Sequence, residues 1–229
     1  MDKLAVYAGT RNVYEQMYVA LKSLLTNTQM DGVFLLIEDD KFSFPIPKNV
    51  VTVNVSKQEF FTPGTANYGS PWSYMDMLRC ALGIMLPQEI KQILWLDIDT
   101  IVDADISELF DIDMTGYYYA GVIEPQKSTK FFRYINTGVT MSNLDLLRAW
   151  NKESEMISFL NTYQFGWPGQ DAINLLCQGR IKTIDSEFNH NAYVMPCNRP
   201  KIIHYAAMSI NDYRKEWAYK KYEQMELEC

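Results

Sequence analysis

Basic residues are in deficit, histidine is scarce and cysteine is scattered in this 229-residue chain. Lys and Arg number 21 against 28 Asp and Glu, a formal charge of −7 at pH 7. That deficit argues against a nucleic-acid partner, which needs a basic face. It also means that an anionic substrate requires a bound cation or a few well-placed Arg and Lys. Of the four cysteines, Cys80, Cys177, Cys197 and Cys229, none forms a close pair of the CxxC kind, so reduced thiols and a cytoplasmic setting are expected. No apolar run approaches the length of a membrane span. The opening Met1-Asp2-Lys3-Leu4-Ala5-Val6-Tyr7 passes into a strand-like segment without a signal core. Repeats, low-complexity tracts and linkers are absent, so a single domain over 1–229 is expected.

What is present is an ordinary folded composition, 48% apolar, with aromatics at 14% and fifteen tyrosines. Aromatic faces and phenol hydroxyls suit sugars and serve cores and interfaces equally well. Residues 3–8 read as an apolar strand, 9–12 as a loop, and 13–25 as a helix with Met17, Leu21 and Leu24 on one face. Residues 33–37 are a continuous apolar run, as in a buried strand, ending in Glu38-Asp39-Asp40, where Asp39 and Asp40 are expected only to close a turn. Val51, Val53 and Val55 mark another strand. Residues 56–72 lack periodicity and hold Pro63, Gly64, Gly69 and Pro71, the pattern of a lid or of a floppy surface connection. A helix over 73–85, a buried strand over 92–96 and a capping box at Asp105-Ile106-Ser107-Glu108 follow. Later strands are expected at 118–122, 138–141, 181–184 and 201–205, helices at 144–159 and 170–177, and a terminal helix capped by Asn211. This is the alternation of an α/β domain with a mixed, mainly parallel sheet flanked by helices.

The strand over 92–96 delivers Asp97 and Asp99. Residues two apart along a strand point to one side, and ligands of open α/β sheets bind at the carboxyl ends of strands. Two adjacent carboxylates are unfavourable unless a cation lies between them, and carboxylate oxygen suits Mg²⁺ or Mn²⁺ bridging to phosphate. The same pair could merely cap a turn. An apolar strand followed by Asp-x-Asp also opens haloacid dehalogenase-like phosphatases, where the first Asp is a nucleophile. Here a complete α/β half precedes the motif, and position 101 is Ile.

With Leu96-Asp97-Ile98-Asp99-Thr100 fixed, the chain from Leu4 to about Tyr205 resembles glycosyltransferase family 8, the retaining GT-A enzymes that include bacterial lipooligosaccharide galactosyltransferases and glycogenin. Arg79, in Arg79-Cys80-Ala81-Leu82-Gly83, is similar to the family's donor-contacting arginine, the plain alternative being a surface Arg. Tyr134-Ile135-Asn136-Thr137-Gly138-Val139 resembles the segment whose Asn binds the donor sugar. An Asn before a strand is otherwise an ordinary turn residue. Gly169-Gln170-Asp171 resembles a helix start in which Gln lies beneath the anomeric carbon and Asp binds sugar hydroxyls, although Gly169 stands where relatives have an acid. Lys201-Ile202-Ile203-His204-Tyr205 looks like the strand whose His completes the metal site. Thr10 and Asn12 look like the positions that receive uracil and ribose. His190 reads as an interior residue.

Past His204 the pattern departs. The family continues with Gly and then Lys-Pro-Trp, whereas this chain has Ala207 and Ile210, with Arg214 and Lys215 as out-of-register substitutes. The resemblance implies a GT-A-like fold with a nucleotide-binding half over about 1–105, a donor-sugar and acceptor half over about 106–210, and a terminal helix over about 211–227. It implies Mn²⁺ or Mg²⁺ on Asp97, Asp99 and His204, a UDP-sugar donor touched by Thr10, Asn12, Arg79, Ile98 and Asn136, and Gln170 and Asp171 as catalytic residues. The expected acceptor is a glycan, a lipid-linked glycan or a protein. The alternatives are the phosphatase and a non-catalytic sugar-nucleotide or glycan-binding domain.

Overall fold

The computed structural model describes residues 2–191 and 199–227, so Met1, Cys197 and Cys229 of the sequence reading lie outside the described residues. In chain order the elements are β1 (Leu4–Gly9), α1 (Tyr14–Asn27), β2 (Gly32–Ile37), β3 (Val50–Asn54), α2 (Ser73–Met77), α3 (Leu82–Met85), β4 (Gln92–Leu96), β5 (Thr100–Val102), β6 (Tyr119–Ile123), β7 (Ile135–Asn143), α4 (Leu144–Ala149), α5 (Lys152–Thr162), α6 (Pro168–Leu176), β8 (Ile181–Thr183), β9 (His190–Asn191), β10 (Ile202–His204), α7 (Ile210–Tyr213) and α8 (Trp217–Glu223).

The chain forms two compact units, Met1–Asn54 with Leu96–Ile112 and Asp185–Cys229, and Val55–Trp95 with Asp113–Ile184. The seven strands of a mixed, mainly parallel sheet fall as β3-β2-β1 in the first and β4-β7-β6-β8 in the second. In the first unit, β1 and β3 both run parallel to β2. The apolar runs of β1 and β2 are largely buried, as in a parallel sheet covered on both faces, whereas β3 at the sheet edge buries Val50 and leaves Val51 half exposed. A small sheet, β5-β10-β9, follows, and Ile101, Ile203, Tyr205, Tyr213, Tyr219 and Tyr222 pack with Val19 of α1 into one cluster beside it. In the second unit, β6 pairs antiparallel with β7 and parallel with β8.

Several expected elements differ, each for a local reason. The helix over 73–85 is broken: Ala81 N–H bonds Leu78 O in a 3-10 turn, and the Gly83 N–H is taken at 2.6 Å by Glu153 Oε1. The helix over 144–159 is interrupted at Asn151, whose left-handed φ of 49° no helix tolerates. Asp105 does not complete a capping box. It accepts from the N–H of Ser107 two residues on, and a 3-10 turn, Ser107–Asp111, results. Ser209 rather than Asn211 caps the terminal region, accepting from Asp212 N–H. Residues 56–72 hold no helix or strand, yet they are not a floppy connection. Phe61 and Asn67 are buried, and the Asn67 amide donates to Leu160 O and Tyr163 O while accepting from Phe165 N–H.

Candidate active site

β4 stops at Leu96, so Asp97 and Asp99, which belong to the first unit, meet through a turn and not through strand alternation. Thr100 closes that turn by donating both its N–H and its hydroxyl to Asp97 O, at 3.1 and 2.6 Å. β5 then pairs antiparallel with β10 in the register His204↔Thr100, and Tyr205 N–H reaches Asp99 O at 3.0 Å. The imidazole is thereby delivered to the carboxylates, with His204 Nε2 at 3.3 Å from Asp99 Oδ1 and 3.8 Å from Asp97 Oδ2. One ligand atom from each residue lies within 4.8 Å of the others. His204 is buried, and its Nδ1 lies 2.8 Å from Asn189 Oδ1. Because that oxygen only accepts, Nδ1 carries a proton, and Nε2 is the ring nitrogen that faces the acids and is left for a metal. Asn189 was missed in the sequence, where nothing marks a turn residue fifteen positions upstream.

Thr10 and Asn12 lie in the same unit after β1 and hydrogen-bond each other. Between them, Arg11 bonds Glu38 through its N–H and Asp39 through its guanidinium. Asp39 closes its turn on Lys41 N–H as expected. Beside the acids, Tyr213 OH reaches Ile98 O at 3.4 Å.

The second unit holds the remaining candidates. Asn136 lies inside β7, which begins at Ile135, and not ahead of the strand. Pairing passes from Gly121↔Thr140 to Val122↔Asn136, so residues 137–139 bulge out of register. Side chains secure the bulge. Asn136 Oδ1 accepts from Gly138 N–H at 2.9 Å, its amide donates to Glu124 Oε2 at 3.0 Å, and Gln170 Oε1 accepts from Thr137 N–H at 3.0 Å. Arg79 is buried, so the surface-arginine reading fails. Its Nη1 donates to Thr137 O and Oγ1, its Nε to Asp76 O, and its guanidinium stacks 4.7 Å from the Trp95 ring.

Asp171 accepts from Trp167 N–H at 2.9 Å and from the Tyr134 hydroxyl. Burial, and secondarily that carboxylate, hold the Tyr134 phenol well above the usual range. A Cβ at Gly169 would lie 2.8 Å from both Asp76 O and Asp76 Oδ2, so the Asp76 carboxylate fills the space that an acid at 169 would require. The contacts that Tyr134, Thr137 and Glu124 make could not be read from the sequence because they depend on the bulge, and those of Asp76 because they depend on Arg79 and Gly169.

After His204, Ala207 holds a left-handed φ of 63°, a conformation glycine adopts without strain. Arg214 pairs with Glu15, and Lys215 with Asp212 at 2.8 Å. Among the described residues, no helix is long and apolar enough to cross a membrane.

Comparison with known proteins agrees with this geometry. The model of the family described as "Glycosyl transferase family 8" matches residues 6–220. Glycosyltransferase GlyA of Streptococcus pneumoniae is 22% identical over 245 residues, covering 95% of this chain and 34% of its own length. The chain spans about a third of the length of curated relatives of this kind. Among solved structures, glycosyltransferase GlyE of S. pneumoniae superposes with a TM-score of 0.73 at 17% identity, over 99% of this chain and 61% of GlyE. The galactosyltransferase LgtC, solved with donor and acceptor sugar analogs, superposes with a TM-score of 0.65 at 19% identity, over 96% and 95%. These likenesses establish a GT-A fold. The match favours neither the phosphatase nor the binding-only alternative.

Proposed function

The chain belongs to glycosyl transferase family 8, and from that premise we propose that it transfers a hexose, glucose or galactose, from a UDP-sugar to an acceptor hydroxyl with retention of configuration. The observation that carries this reading is the convergence of Asp97, Asp99 and His204. Two carboxylates and an imidazole whose Nε2 is directed at them suit Mn²⁺ or Mg²⁺. Such an ion, when bound, supplies Lewis-acid neutralisation of diphosphate charge. Ile98, Thr10 and Asn12 take the nucleoside side of the donor. Arg79, Asn136 and Asp171 orient the sugar, Arg79 by bonding the Thr137 backbone of the bulge.

Gln170 is the residue for the developing positive charge at the anomeric carbon. One lone pair of its Oε1 accepts from Thr137 N–H, which fixes the carbonyl dipole and leaves the second lone pair for the sugar. A carboxamide is neither a useful base nor a lasting nucleophile, so the acceptor proton goes to the departing phosphate oxygen. The acceptor is a glycan, a lipid-linked glycan or a protein hydroxyl. A cytoplasmic, reducing setting is supported by Cys80 and Cys177, both buried free thiols. One transferase domain over 1–229 is the organisation we adopt.

A screen of UDP-sugars tests the reading. UDP release that requires Mn²⁺ or Mg²⁺ and stops with chelator is the expected result. Phosphate release from an aryl phosphate would favour the phosphatase, and UDP binding without any turnover the binding-only domain.

A further inference from the structure

We propose that Tyr134 is a positioning residue that fixes both polar groups at the start of α6, and that Lys127 holds Tyr134 in that role. The inference rests on the transferase reading of Gln170 and Asp171. The Tyr134 hydroxyl faces three partners: Asp171 Oδ1, Gln170 Nε2 at 3.4 Å and Lys127 Nζ at 3.4 Å. A carboxamide nitrogen and an ammonium can only donate. The phenol's single proton therefore goes to Asp171, and its oxygen receives the other two.

The direction of the Gln170 carboxamide is set from both ends. Its Oε1 must face the Thr137 N–H at 3.0 Å, because a flipped amide would oppose donor to donor there. Its nitrogen is left facing Tyr134. Asp171 is likewise held from both sides, by Tyr134 on Oδ1 and by Trp167 N–H on Oδ2. Lys127 closes the circuit, with its ammonium 3.1 Å from the Trp167 ring centroid and 4.7 Å from that of Tyr134. A cation between two aromatic faces is stabilised by their quadrupoles, and this one also offsets the charge of Asp171 and Glu124. Burial is the larger influence on Lys127 and lowers its pKa, while Asp171 and Glu124 pull the other way.

The hydroxyl is separable from the fold. The Tyr134 backbone is held independently, its N–H by Ser128 Oγ at 3.0 Å and its carbonyl by Glu124 N–H at 2.7 Å. Tyr134→Phe thus removes the hydroxyl contacts and leaves the chain path in place. The Asp97, Asp99 and His204 centre belongs to the other unit, so binding of UDP, which lacks the transferred hexose, provides an internal control.

The test compares wild type, Tyr134→Phe, Lys127→Met, Gln170→Ala and the Tyr134→Phe/Gln170→Ala double variant. Calorimetry with UDP and Mn²⁺ gives nucleotide affinity, and hydrolysis of UDP-glucose and UDP-galactose gives kcat and KM. We expect Tyr134→Phe to keep the UDP Kd within about twofold while lowering kcat about tenfold, the loss that slight misplacement of a catalytic group produces. The double variant should lose less than the product of the two single losses, because the part of the Tyr134 effect that runs through Gln170 is already gone, while the part through Asp171 remains. Lys127→Met, on a surface loop, should lower kcat by roughly three- to fivefold and serves if Tyr134→Phe fails to fold. Wild-type kcat and KM in Tyr134→Phe, or losses that simply multiply in the double variant, would overturn the positioning role. Unchanged kinetics in Lys127→Met would remove Lys127 from it. A wild type that hydrolyses neither UDP-sugar would sink the transferase reading, and this inference with it.

Discussion

The two units carry their functional groups in opposite ways. In the first, Asp97 and Asp99 keep side-chain exposures of 26% and 28% and converge on a buried His204. They are delivered by one turn and one strand pair. In the second, the polar groups are committed to one another: Arg79 to Thr137 and Asp76, Gln170 to Thr137, Asn136 to Glu124 and Asp171 to Tyr134. A cation site needs a few acceptors with room between them. If the second unit takes the sugar, as proposed, many groups must be held at fixed angles, which a bulged strand presents only with its backbone pinned.

The comparison breaks most visibly at Arg79. Arg79→Leu leaves the Asp76 carboxylate and the Thr137 carbonyl without their cationic donor, and should cost about 4 kcal/mol of stability in urea unfolding. A loss under 1 kcal/mol would show that the bulge does not depend on it.

Next is Glu153, which pins the helix break next to Arg79. Burial raises its pKa from 4.5 to about 7, against the lowering pull of the Gly83 N–H and Arg148. The folded state therefore holds the proton more tightly than the unfolded chain. This residue's contribution to stability falls as pH rises from about 4.5 to about 7, by about 3 kcal/mol in all. Unfolding of wild type and Glu153→Gln at pH 5 and pH 8 should differ by that fall, and parallel pH dependence in both would contradict it.

Two smaller effects sharpen the division of labour. Gln170→Ala should lower kcat by roughly 10² with little change in UDP affinity, since its interaction grows only in the transition state. Loss of UDP affinity equal to the loss in kcat would contradict that. Asn189→Ala frees the His204 tautomer and should weaken Mn²⁺-dependent UDP binding about tenfold. The stereochemical companion is proton NMR of the first product, which should be α-linked from an α-linked donor.

Legibility in the sequence follows the same division. The cluster of Asp97, Asp99 and His204 was legible, the acids from their spacing and the histidine from the family resemblance, although its convergence comes from a turn closed by Thr100 and not from strand alternation. Most strands were readable from apolar runs. The helix breaks were not: the Gly83 N–H is taken by a carboxylate seventy residues away, and Asn151 adopts its left-handed conformation without a glycine to announce it. The bulge at 137–139 leaves no periodic signature either, so the sequence left a surface position open for Arg79, which is buried and braces the Thr137 backbone.

Everything proposed for the first unit depends on Asp97, Asp99 and His204 forming a cation-dependent nucleotide site. Calorimetric titration of UDP with Mn²⁺ into wild type, Asp99→Ala and Gln170→Ala tests it most directly. Wild type and Gln170→Ala should bind, with chelator abolishing the binding, and Asp99→Ala should not bind. UDP affinity in Asp99→Ala equal to wild type, or wild-type binding indifferent to chelator, would contradict it.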